Sequence, residues 1–377
     1  MSTMPDPADL HATCRPFAEA RTLPGAAYTS ADVLALEQSG LFARTWLAVG
    51  RAADMPEAGD YVTRQIGADN VLLVRGEDDR IRGFHNVCRH RGARLLDEPA
   101  GTGLARILCA YHAWSYRLDG SLGQLPGGGS ADRAPLGLVP VATGLHEGFI
   151  FVNLDPGAAP LALQLEDLPD LRRFRLPELR AGWRRTYDVQ ANWKLIVENY
   201  SECYHCPGAH PQLARISDLI SRSDRPMEAG NAFNGGPMQL KDGIETMSLS
   251  GRRTVPVIPG LSPDDHRYVY YYVVYPNLLL SPHPDYVLTH TAWPLAPDRT
   301  RVECELLFTQ EAVSRPGFDP ADMANFWDLT NRQDWALCER TQAGAASRGF
   351  RPGPYQPSED CVHTFDRWYA ERLAALL

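Results

Sequence analysis

The sequence predicts an α+β protein in which a small antiparallel β domain precedes a larger domain of mixed sheet and helices. Between about residues 46 and 155, short apolar runs alternate with turn residues, which is typical of antiparallel strands. Residues 267–309 are rich in β-branched and aromatic residues and are punctuated by proline, which indicates a second antiparallel sheet. Helical spacing returns from about residue 319. With 377 residues, the chain is long enough for two or three domains of about 150 residues each.

The N-terminal part is predicted to begin with a helix over residues 30–43, which Ser30 can cap. Its apolar stripe comprises Val33, Leu34, Leu41 and Phe42. Within the β domain, Asp119-Gly120 marks a hairpin turn. The sequence is of low complexity at LPGGGS, near residues 125–130, and in a proline-rich stretch after residue 155 that we interpret as a linker. We therefore expect an N-terminal helical segment at 1–45 that packs on the second domain, a β domain at 46–158 and the second domain at 159–377.

Two helices of the second domain stand out in the sequence. ANWKLIVENYSECYH, residues 191–205, has helical spacing, and Pro207 and Gly208 are expected to end this helix. The residues predicted to share one face are Trp193, Ile196, Val197 and Tyr200. DMANFWDLTNRQDWALCERTQ, residues 322–342, is the strongest helical pattern near the C-terminus.

Composition narrows the class of protein. The net charge of −9 argues against general nucleic-acid binding, which requires a basic surface. No apolar run approaches the roughly 20 residues of a membrane span, and the N-terminus lacks the pattern of a secretory signal, so we expect a soluble, cytoplasmic protein. Eight cysteines are too few for a disulfide scaffold in a chain of this length, and clustered cysteine and histidine in a reducing compartment indicate metal binding or catalysis.

The first cluster of this kind is Cys88-x-His90 followed, after eighteen intervening residues, by Cys109-x2-His112. Two thiolates and two imidazoles could close a tetrahedral structural zinc site. However, Cys-x-His is tighter than the usual zinc-finger pair, and both pairs lie at strand ends in a β domain. A [2Fe–2S] cluster of Rieske type, with two cysteines on one iron and two histidines on the other, fits the pattern better.

These motifs resemble the oxygenase (α) component of Rieske non-haem iron oxygenases, and the resemblance extends over nearly the whole chain. It is carried by CRHRG, CAYHAWSY and NWKLIVENYSECYHCPGAH. The eighteen-residue gap is slightly longer than is usual in the family, and we expect only a longer loop. The resemblance implies a Rieske domain, a helix-grip-like catalytic domain, O2 as co-substrate and a homotrimer.

An electron donor is implied as well. The chain lacks a strand–GxGxxG–helix dinucleotide unit and a second, four-cysteine ferredoxin pattern. Electrons from NAD(P)H must therefore arrive through a separate ferredoxin or flavin reductase. The basic CRHRG patch is a plausible docking surface for such a partner.

The second cluster contains His205 and His210, with Pro207-Gly208 between them. Two histidines and one carboxylate form the ligand set of oxygen-activating Fe(II) enzymes. Asp334 lies at a position that resembles the family's distal aspartate ligand, and Asp328 and Glu339 are the fallback candidates. Two alternatives stay open: either histidine could be an ordinary satisfied residue, and Cys203-x2-Cys206 could contribute to a closed zinc site.

Glu202 is predicted to have a role in electron transfer. In the family, the electron passes from the cluster of one subunit to the iron of its neighbour in a ring of three, through an acidic residue that bridges a histidine from each side. That residue lies three positions before the first iron ligand, is usually aspartate and is Glu202 here. Glutamate in place of aspartate at this position resembles the family members that oxidise quaternary ammonium compounds such as glycine betaine and carnitine. Alternatively, Glu202 is simply a solvated helix residue.

The substrate prediction follows from the same resemblance, because ENYSECYHCPGAHP and RGFRPGPYQPSEDCVHTFDRWY look most like glycine betaine monooxygenases and stachydrine demethylases. We expect hydroxylation of an N-methyl group, followed by demethylation with release of formaldehyde. A trimethylammonium group is held by aromatic faces, each worth about 0.5–2 kcal/mol. The candidates are Tyr270, Tyr271, Tyr272, Tyr275, Tyr286 and Trp293, of which strand alternation allows about half to face a pocket. The alternatives are a Rieske aromatic-ring hydroxylase, a Rieske electron-transfer protein without oxygenase activity and a zinc-stabilised binding module.

Overall fold

The structure is a computed structural model that describes residues 4–127, 134–217 and 226–377. The chain forms two compact units, one of Gln38–Leu161 and the other of the residues up to Glu37 together with Ala162–Leu377. The LPGGGS stretch lies partly outside the described residues. In the described part of the chain, every helix is too short or too polar to cross a bilayer. The domain boundaries predicted at 45/46 and 158/159 stay predictions.

The unit Gln38–Leu161 is built on an antiparallel sheet, as its alternating apolar runs predicted. In its described residues, seven strands are ordered β1-β9-β8-β4-β3-β2-β5, and β6 pairs with β7 in a separate ladder. The strands are β1 (Leu47–Arg51), β2 (Tyr61–Ile66), β3 (Asp69–Arg75), β4 (Ile81–His85), β5 (Ala100–Gly101), β6 (Ile107–Leu108), β7 (Ser115–Tyr116), β8 (Pro140–His146) and β9 (Phe149–Asn153). Asp119-Gly120 forms the expected turn, and Gly120 adopts a φ of 86° that favours glycine.

The other unit contains a second antiparallel sheet, which confirms the β prediction for residues 267–309. Its seven described strands are ordered β10-β16-β15-β14-β13-β12-β11. They are β10 (Arg180–Val189), β11 (Glu228–Ala229), β12 (Phe233–Gln239), β13 (Tyr268–Val274), β14 (Leu278–Pro282), β15 (Val287–Ala296) and β16 (Arg299–Phe308). The long β10, β16 and β15 pair over nearly their full lengths, so this side of the sheet is a firm support for the helices beside it.

The α-helices of the described residues are α1 (Pro7–Thr13), α2 (Gly25–Thr29), α3 (Ala31–Leu36), α4 (Leu161–Gln164), α5 (Trp193–Tyr200), α6 (Cys206–Ala209), α7 (Pro211–Ile216), α8 (Gln310–Val313), α9 (Ala321–Ala345) and α10 (Asp360–Ala374). Ser30 caps α3 as expected, because its side chain accepts a hydrogen bond from the Val33 N–H. Helix α9 confirms the predicted C-terminal helix. It packs against α5, which also contacts β15 and α10.

The predicted end of the helix that precedes His205 is wrong. Helix α5 ends at Tyr200, and Ser201 caps it with its backbone N–H on the carbonyls of Val197 and Glu198. Pro207 then lies in the first turn of the short helix α6, where its missing N–H removes no helical hydrogen bond. A proline read as a helix breaker therefore begins a new helix, and His205 and His210 flank that helix at its two ends.

A buried ion pair holds the start of α5 in place. The Lys194 ammonium lies 2.6 Å from a Glu37 carboxylate oxygen, and both side chains are fully buried. Glu37 also accepts hydrogen bonds from the Trp193 indole N–H and the Tyr369 hydroxyl. A buried charge is tolerated only when it is paired and hydrogen-bonded in this way. The network therefore fixes the helix whose C-terminal end leads into the Glu202–His210 segment.

Candidate functional site

Two loops of the unit Gln38–Leu161 share one backbone geometry and carry the first cluster of predicted ligands. The Cys88 N–H donates to the Ala93 carbonyl at 2.8 Å, and the Cys109 N–H donates to the Trp114 carbonyl at 2.8 Å. Each loop contains a left-handed residue at the fifth position, Gly92 in one and Ala113 in the other. The two Cys-His motifs therefore fold as equivalent loops, although one has one residue between its ligands and the other has two.

The loops bring the two thiols together and the two imidazoles together. Cys88 and Cys109 are 3% and 1% exposed and hydrogen-bond each other, whereas the His90 and His112 rings lie towards solvent with their centroids 4.6 Å apart. Paired thiols inside and paired imidazoles outside fit a [2Fe–2S] cluster.

The surroundings of these ligands favour the protonation states that iron requires. Burial raises the pKa of the Cys88 thiol, but hydrogen bonds from the Tyr116 hydroxyl and the backbone at His90 outweigh it, so the pKa is lowered overall. Burial and the neighbouring His90 and Arg91 lower the pKa of His112. Thiolate and neutral imidazole are the forms that bind metal.

We expect Tyr116→Phe to lower the reduction potential of the cluster. The buried Tyr116 hydroxyl lies 3.3 Å from the Cys88 sulfur and accepts the Arg89 N–H at 2.9 Å, which leaves its proton for the sulfur. A hydrogen bond to a ligand sulfur stabilises the more negative, reduced cluster. A potentiometric titration monitored by the visible spectrum measures the change. Tyr111→Phe, at a 57% exposed tyrosine between Cys109 and His112, is the control. An unchanged potential in Tyr116→Phe would contradict the assignment.

The second cluster of predicted ligands converges in the other unit. The His205 and His210 Nε2 atoms lie 3.1 and 2.9 Å from the same oxygen, Oδ1 of Asp334, and 3.2 Å from each other. His205 and His210 come from the two ends of α6, and Asp334 comes from α9. The structure therefore brings together three residues that are up to 129 positions apart in sequence.

The other ring nitrogen of each histidine is held by an acceptor. His205 Nδ1 donates to Glu202 Oε1 at 2.5 Å, and His210 Nδ1 donates to Gln333 Oε1 at 2.8 Å. Glu202 also accepts the backbone N–H groups of Tyr204 and His205, so it orders the loop that follows α5. Because each Nδ1 is a donor, Nε2 is the nitrogen of each ring that remains to face Asp334 or a metal ion, the arrangement that outer-sphere partners give to metal-binding histidines.

The electrostatics of this cluster fit a cation. Burial lowers the pKa of His205, but the carboxylates of Asp334 and Glu202 outweigh it and raise that pKa to about 9. Burial raises the pKa of Asp334, but the two histidines outweigh it and lower that pKa. The three groups thus share a positive charge that a divalent ion can replace. Two imidazoles and one carboxylate, with room for further ligands, fit Fe(II).

The alternative ligands lie elsewhere. Cys203 and Cys206 form a disulfide with each other, so the pair offers no thiolates for the zinc site considered above. Asp328 accepts from the Tyr187 hydroxyl and pairs with Arg332, and Glu339 accepts the Gln190 N–H. Of the three predicted carboxylate candidates, Asp334 is the one beside both histidines.

A cavity of about 870 Å³ opens beside the cluster, within the size range of small-molecule sites. Of the six sheet aromatics considered above, Tyr271 lines it in the described part of the chain, because its neighbours Tyr270 and Tyr272 face the other side of β13. The remaining candidates, Tyr270, Tyr272, Tyr275, Tyr286 and Trp293, are buried in the core. The aromatic side chains that line the cavity are Tyr200, Tyr204, Tyr271, Trp327 and Trp335.

Sequence reasoning missed Trp327, Trp335 and His290 as parts of this wall. The two tryptophans had a usable signal, because Trp327, Asn331 and Trp335 follow one another at four-residue spacing on a predicted helix, on the face that includes Asp334. His290 had none, since a histidine among β-branched residues does not indicate which face of the strand meets a cavity.

Comparisons with known proteins agree with both clusters. The family model for the Rieske [2Fe-2S] domain matches residues 45–138, and that for the ring hydroxylating alpha subunit (catalytic domain) matches residues 176–375. These two matches include Cys88, His90, Cys109 and His112 in the first, and His205, His210 and Asp334 in the second.

Similar proteins cover most of the chain. The glycine betaine monooxygenase oxygenase subunit of Chromohalobacter salexigens is 33% identical over 94% of this chain and 86% of its own length. The carnitine monooxygenase oxygenase subunit of Acinetobacter pittii is 29% identical over 88% of this chain and 86% of its own. The crystal structure of a quaternary ammonium Rieske monooxygenase in complex with L-carnitine has a TM-score of 0.78 at 25% identity, over 99% of each chain.

Proposed function

The chain belongs to the ring-hydroxylating oxygenase alpha subunits that carry a Rieske [2Fe-2S] domain, and we propose that it hydroxylates an N-methyl group of a quaternary ammonium substrate. Membership in this family implies an iron–sulfur cluster and a mononuclear iron. We propose that the cluster is bound in a Rieske domain at 46–158 by Cys88, His90, Cys109 and His112. We propose that the iron is bound in a catalytic domain at 159–377 by His205, His210 and Asp334.

The observation that carries the proposal is the convergence of His205, His210 and Asp334 at the wall of an aromatic cavity. A trimethylammonium group offers no hydrogen-bond donor, and aromatic faces attract it through their quadrupoles. Tyr271, Trp327 and Trp335 supply such faces in this cavity. The relatives named for glycine betaine and carnitine support this substrate class.

In the proposed reaction, one atom of O2 enters an N-methyl C–H bond and the other leaves as water, with two electrons and two protons consumed. The resulting carbinolamine collapses to the demethylated amine and formaldehyde. When bound, the mononuclear iron supplies the O2 chemistry. The chain positions the N-methyl carbon in the cavity, and Gln333 and Glu202 orient the two histidines.

Electron supply requires further partners. We propose that a separate ferredoxin or flavin reductase draws electrons from NAD(P)H and delivers them to the cluster. We also propose a homotrimer, in which Glu202 connects the iron site of one subunit to the cluster of its neighbour. The placement of Glu202 supports this role, because its carboxylate touches the His205 ring on the side opposite Asp334.

A single turnover tests the reaction without the reductase. Protein that contains both cofactors is reduced with dithionite, freed of excess reductant and mixed with O2 and glycine betaine, carnitine or choline. We expect formaldehyde and the demethylated amine from at least one of these compounds, at up to one equivalent per iron site. The readouts are a formaldehyde assay and product mass. Protein reduced in the same way but mixed with buffer lacking O2 is the control.

Two results would contradict the proposal. Absence of product with every quaternary ammonium compound, from protein shown to contain cluster and iron, would move the search to aromatic substrates. Consumption of O2 without substrate-derived product would show that the cavity does not position these compounds.

A further inference from the structure

A disulfide bond lies on both sides of one proposed iron ligand. Cys203 and Cys206 are joined to each other, and His205 lies between them in the chain. Both cysteines line the cavity beside the ligands, and Cys206 is 4% exposed. The proposed reaction uses neither sulfur atom, so the bond is a feature of this site that the reaction leaves unexplained.

The Cys206 sulfur lies at the distance of a metal ligand from the two histidines. Cys206 Sγ is 3.9 Å from His205 Nε2, which is 3.2 Å from His210 Nε2. The sulfur and one ring nitrogen of each histidine all lie within 4.8 Å of one another. A tetrahedral zinc ion, with bonds of about 2.0–2.3 Å, places sulfur and nitrogen about 3.5 Å apart and two nitrogens about 3.3 Å apart. The three atoms are therefore close to the arrangement that one zinc ion requires.

Backbone hydrogen bonds hold Cys206 in this place independently of the disulfide. The Cys206 N–H donates to the Cys203 carbonyl at 3.3 Å, and the His210 N–H donates to the Cys206 carbonyl at 2.9 Å. Glu202 accepts the His205 N–H at 3.2 Å in the same segment. Because the two cysteines are three positions apart, the bond closes a very short loop and adds little chain-entropy stabilisation to the fold. Breaking it should free the Cys206 sulfur and leave it beside the histidines.

The state of the bond decides whether this sulfur can bind a metal ion. The thiolate is the form of cysteine that binds metals, and a disulfide contains none. Two imidazoles with a thiolate suit Zn2+, whereas two imidazoles with a carboxylate suit Fe(II). Zn2+ has no redox chemistry, so a site that holds it cannot activate O2.

We propose that the Cys203–Cys206 disulfide is a redox switch that controls whether Cys206 becomes a metal ligand beside His205 and His210. A dithiol gives two electrons and two protons to the S–S bond, which breaks into two thiols while the dithiol closes to its own disulfide. The Cys206 thiol releases its proton to solvent as it binds the metal. The reduced site then takes Zn2+ in preference to Fe(II). This inference rests on the proposed function, since it assumes that both histidines bind metal.

Two cysteine variants separate the disulfide from the ligand. Cys203→Ser leaves the Cys206 thiol free, whereas Cys206→Ser breaks the same disulfide and removes the ligand. Full-length proteins are purified in air, keep their cluster and lose their mononuclear iron to a chelator. Zn2+ is added to each variant, and to wild-type protein before and after treatment with dithiothreitol that is then removed. The visible spectrum of the cluster checks that each protein is folded.

X-ray absorption at the zinc edge detects the ligands of zinc without interference from the iron of the cluster. We expect sulfur at about 2.3 Å from zinc in reduced wild-type protein and in Cys203→Ser, and nitrogen or oxygen alone, at about 2.0–2.2 Å, in oxidised wild-type protein and in Cys206→Ser. By calorimetry, the first two should bind Zn2+ at least about tenfold more tightly, since outer-sphere partners already change affinity by about 10–100-fold. Dithiothreitol should add two titratable thiols per chain to wild-type protein and none to either variant.

The other outcomes separate the switch from the proposed function. Wild-type protein that gains no thiols on reduction would overturn the switch and leave the proposed function standing. Sulfur bound to zinc in Cys206→Ser, or zinc without sulfur in both reduced wild-type protein and Cys203→Ser, would do the same. Failure of every form, the oxidised wild-type protein included, to bind one equivalent of Zn2+ would contradict the metal role of His205 and His210 and would overturn both.

Discussion

Asp334→Ala is expected to lose the mononuclear iron and to retain the spectrum of the iron–sulfur cluster. The Asp334 oxygen is the point on which both histidine Nε2 atoms converge, so its removal leaves two neutral imidazoles and an incomplete ligand set. Loss of an outer-sphere partner already weakens metal sites by about 10–100-fold, and loss of a ligand should exceed this. Turnover should fall below detection, because the reaction depends on the iron.

The measurement combines iron and acid-labile sulfide analysis with the visible and EPR spectra of the purified variant. Asp328→Ala and Glu339→Ala are the matched controls, since both remove a carboxylate from the same helix α9 without touching the histidines. Both controls should keep the wild-type iron content. If Asp334→Ala loses cluster and iron together, or loses neither, the assignment of Asp334 as a ligand is wrong.

Glu202→Gln is expected to keep both metal centres and to slow turnover by about 10–100-fold. The carboxylate of Glu202 accepts the His205 Nδ1 proton as well as two backbone N–H groups. Glutamine has a single carbonyl oxygen, so it cannot satisfy all of these donors, and its NH2 group opposes one of them. The variant also loses the negative charge beside His205 that the proposed electron route requires.

Rapid mixing of the reduced variant with O2 and substrate separates the two contributions of Glu202. A slower oxidation of the cluster, with iron content unchanged, would support the electron-transfer role. Asp360→Asn, at another acidic residue that lines the cavity, is the control and should oxidise at the wild-type rate. Full activity in Glu202→Gln would remove the bridge from the proposal, and loss of iron would instead make Glu202 chiefly a partner that orients His205.

Much of the architecture could be predicted, because it depends on local patterns. Alternating apolar runs and turn residues located both sheets, and Ser30 located the start of α3, although this α-helix ends at Leu36 and not at the predicted residue 43. The ligand residues Cys88, His90, Cys109 and His112 lie in two short motifs whose spacing already limits the metal centre they can hold. The end of α5 could not be predicted, since it depends on hydrogen bonds that the Glu202 side chain accepts from backbone N–H groups of the following loop and on a proline that suits a helix start as well as a helix end.

The wall of the cavity shows where prediction from sequence stops. Alternation along β13 puts Tyr271 on one face of the strand and Tyr270 and Tyr272 on the other. Which of the two faces lines the cavity depends on the packing of α9 and α5 against the sheet. In the same way, helical spacing places Trp327 and Trp335 on one face of α9, but whether that face lines the cavity depends on the elements that pack against α9.

The sequence alone therefore identified the candidate ligand residues. Tertiary structure decided which of them lie close enough together to share a metal ion. His205 and His210 lie close together along the chain, and a one-turn helix suffices to join them. Asp334 comes within 2.9 Å of His210 only because α9 packs beside α5. Likewise, His290 Nδ1 and Trp335 Nε1 are buried without a hydrogen-bond partner among the described residues, which the sequence around each of them does not indicate. Hydrogen-bond satisfaction in a packed interior depends on contacts between distant segments, which no local pattern specifies.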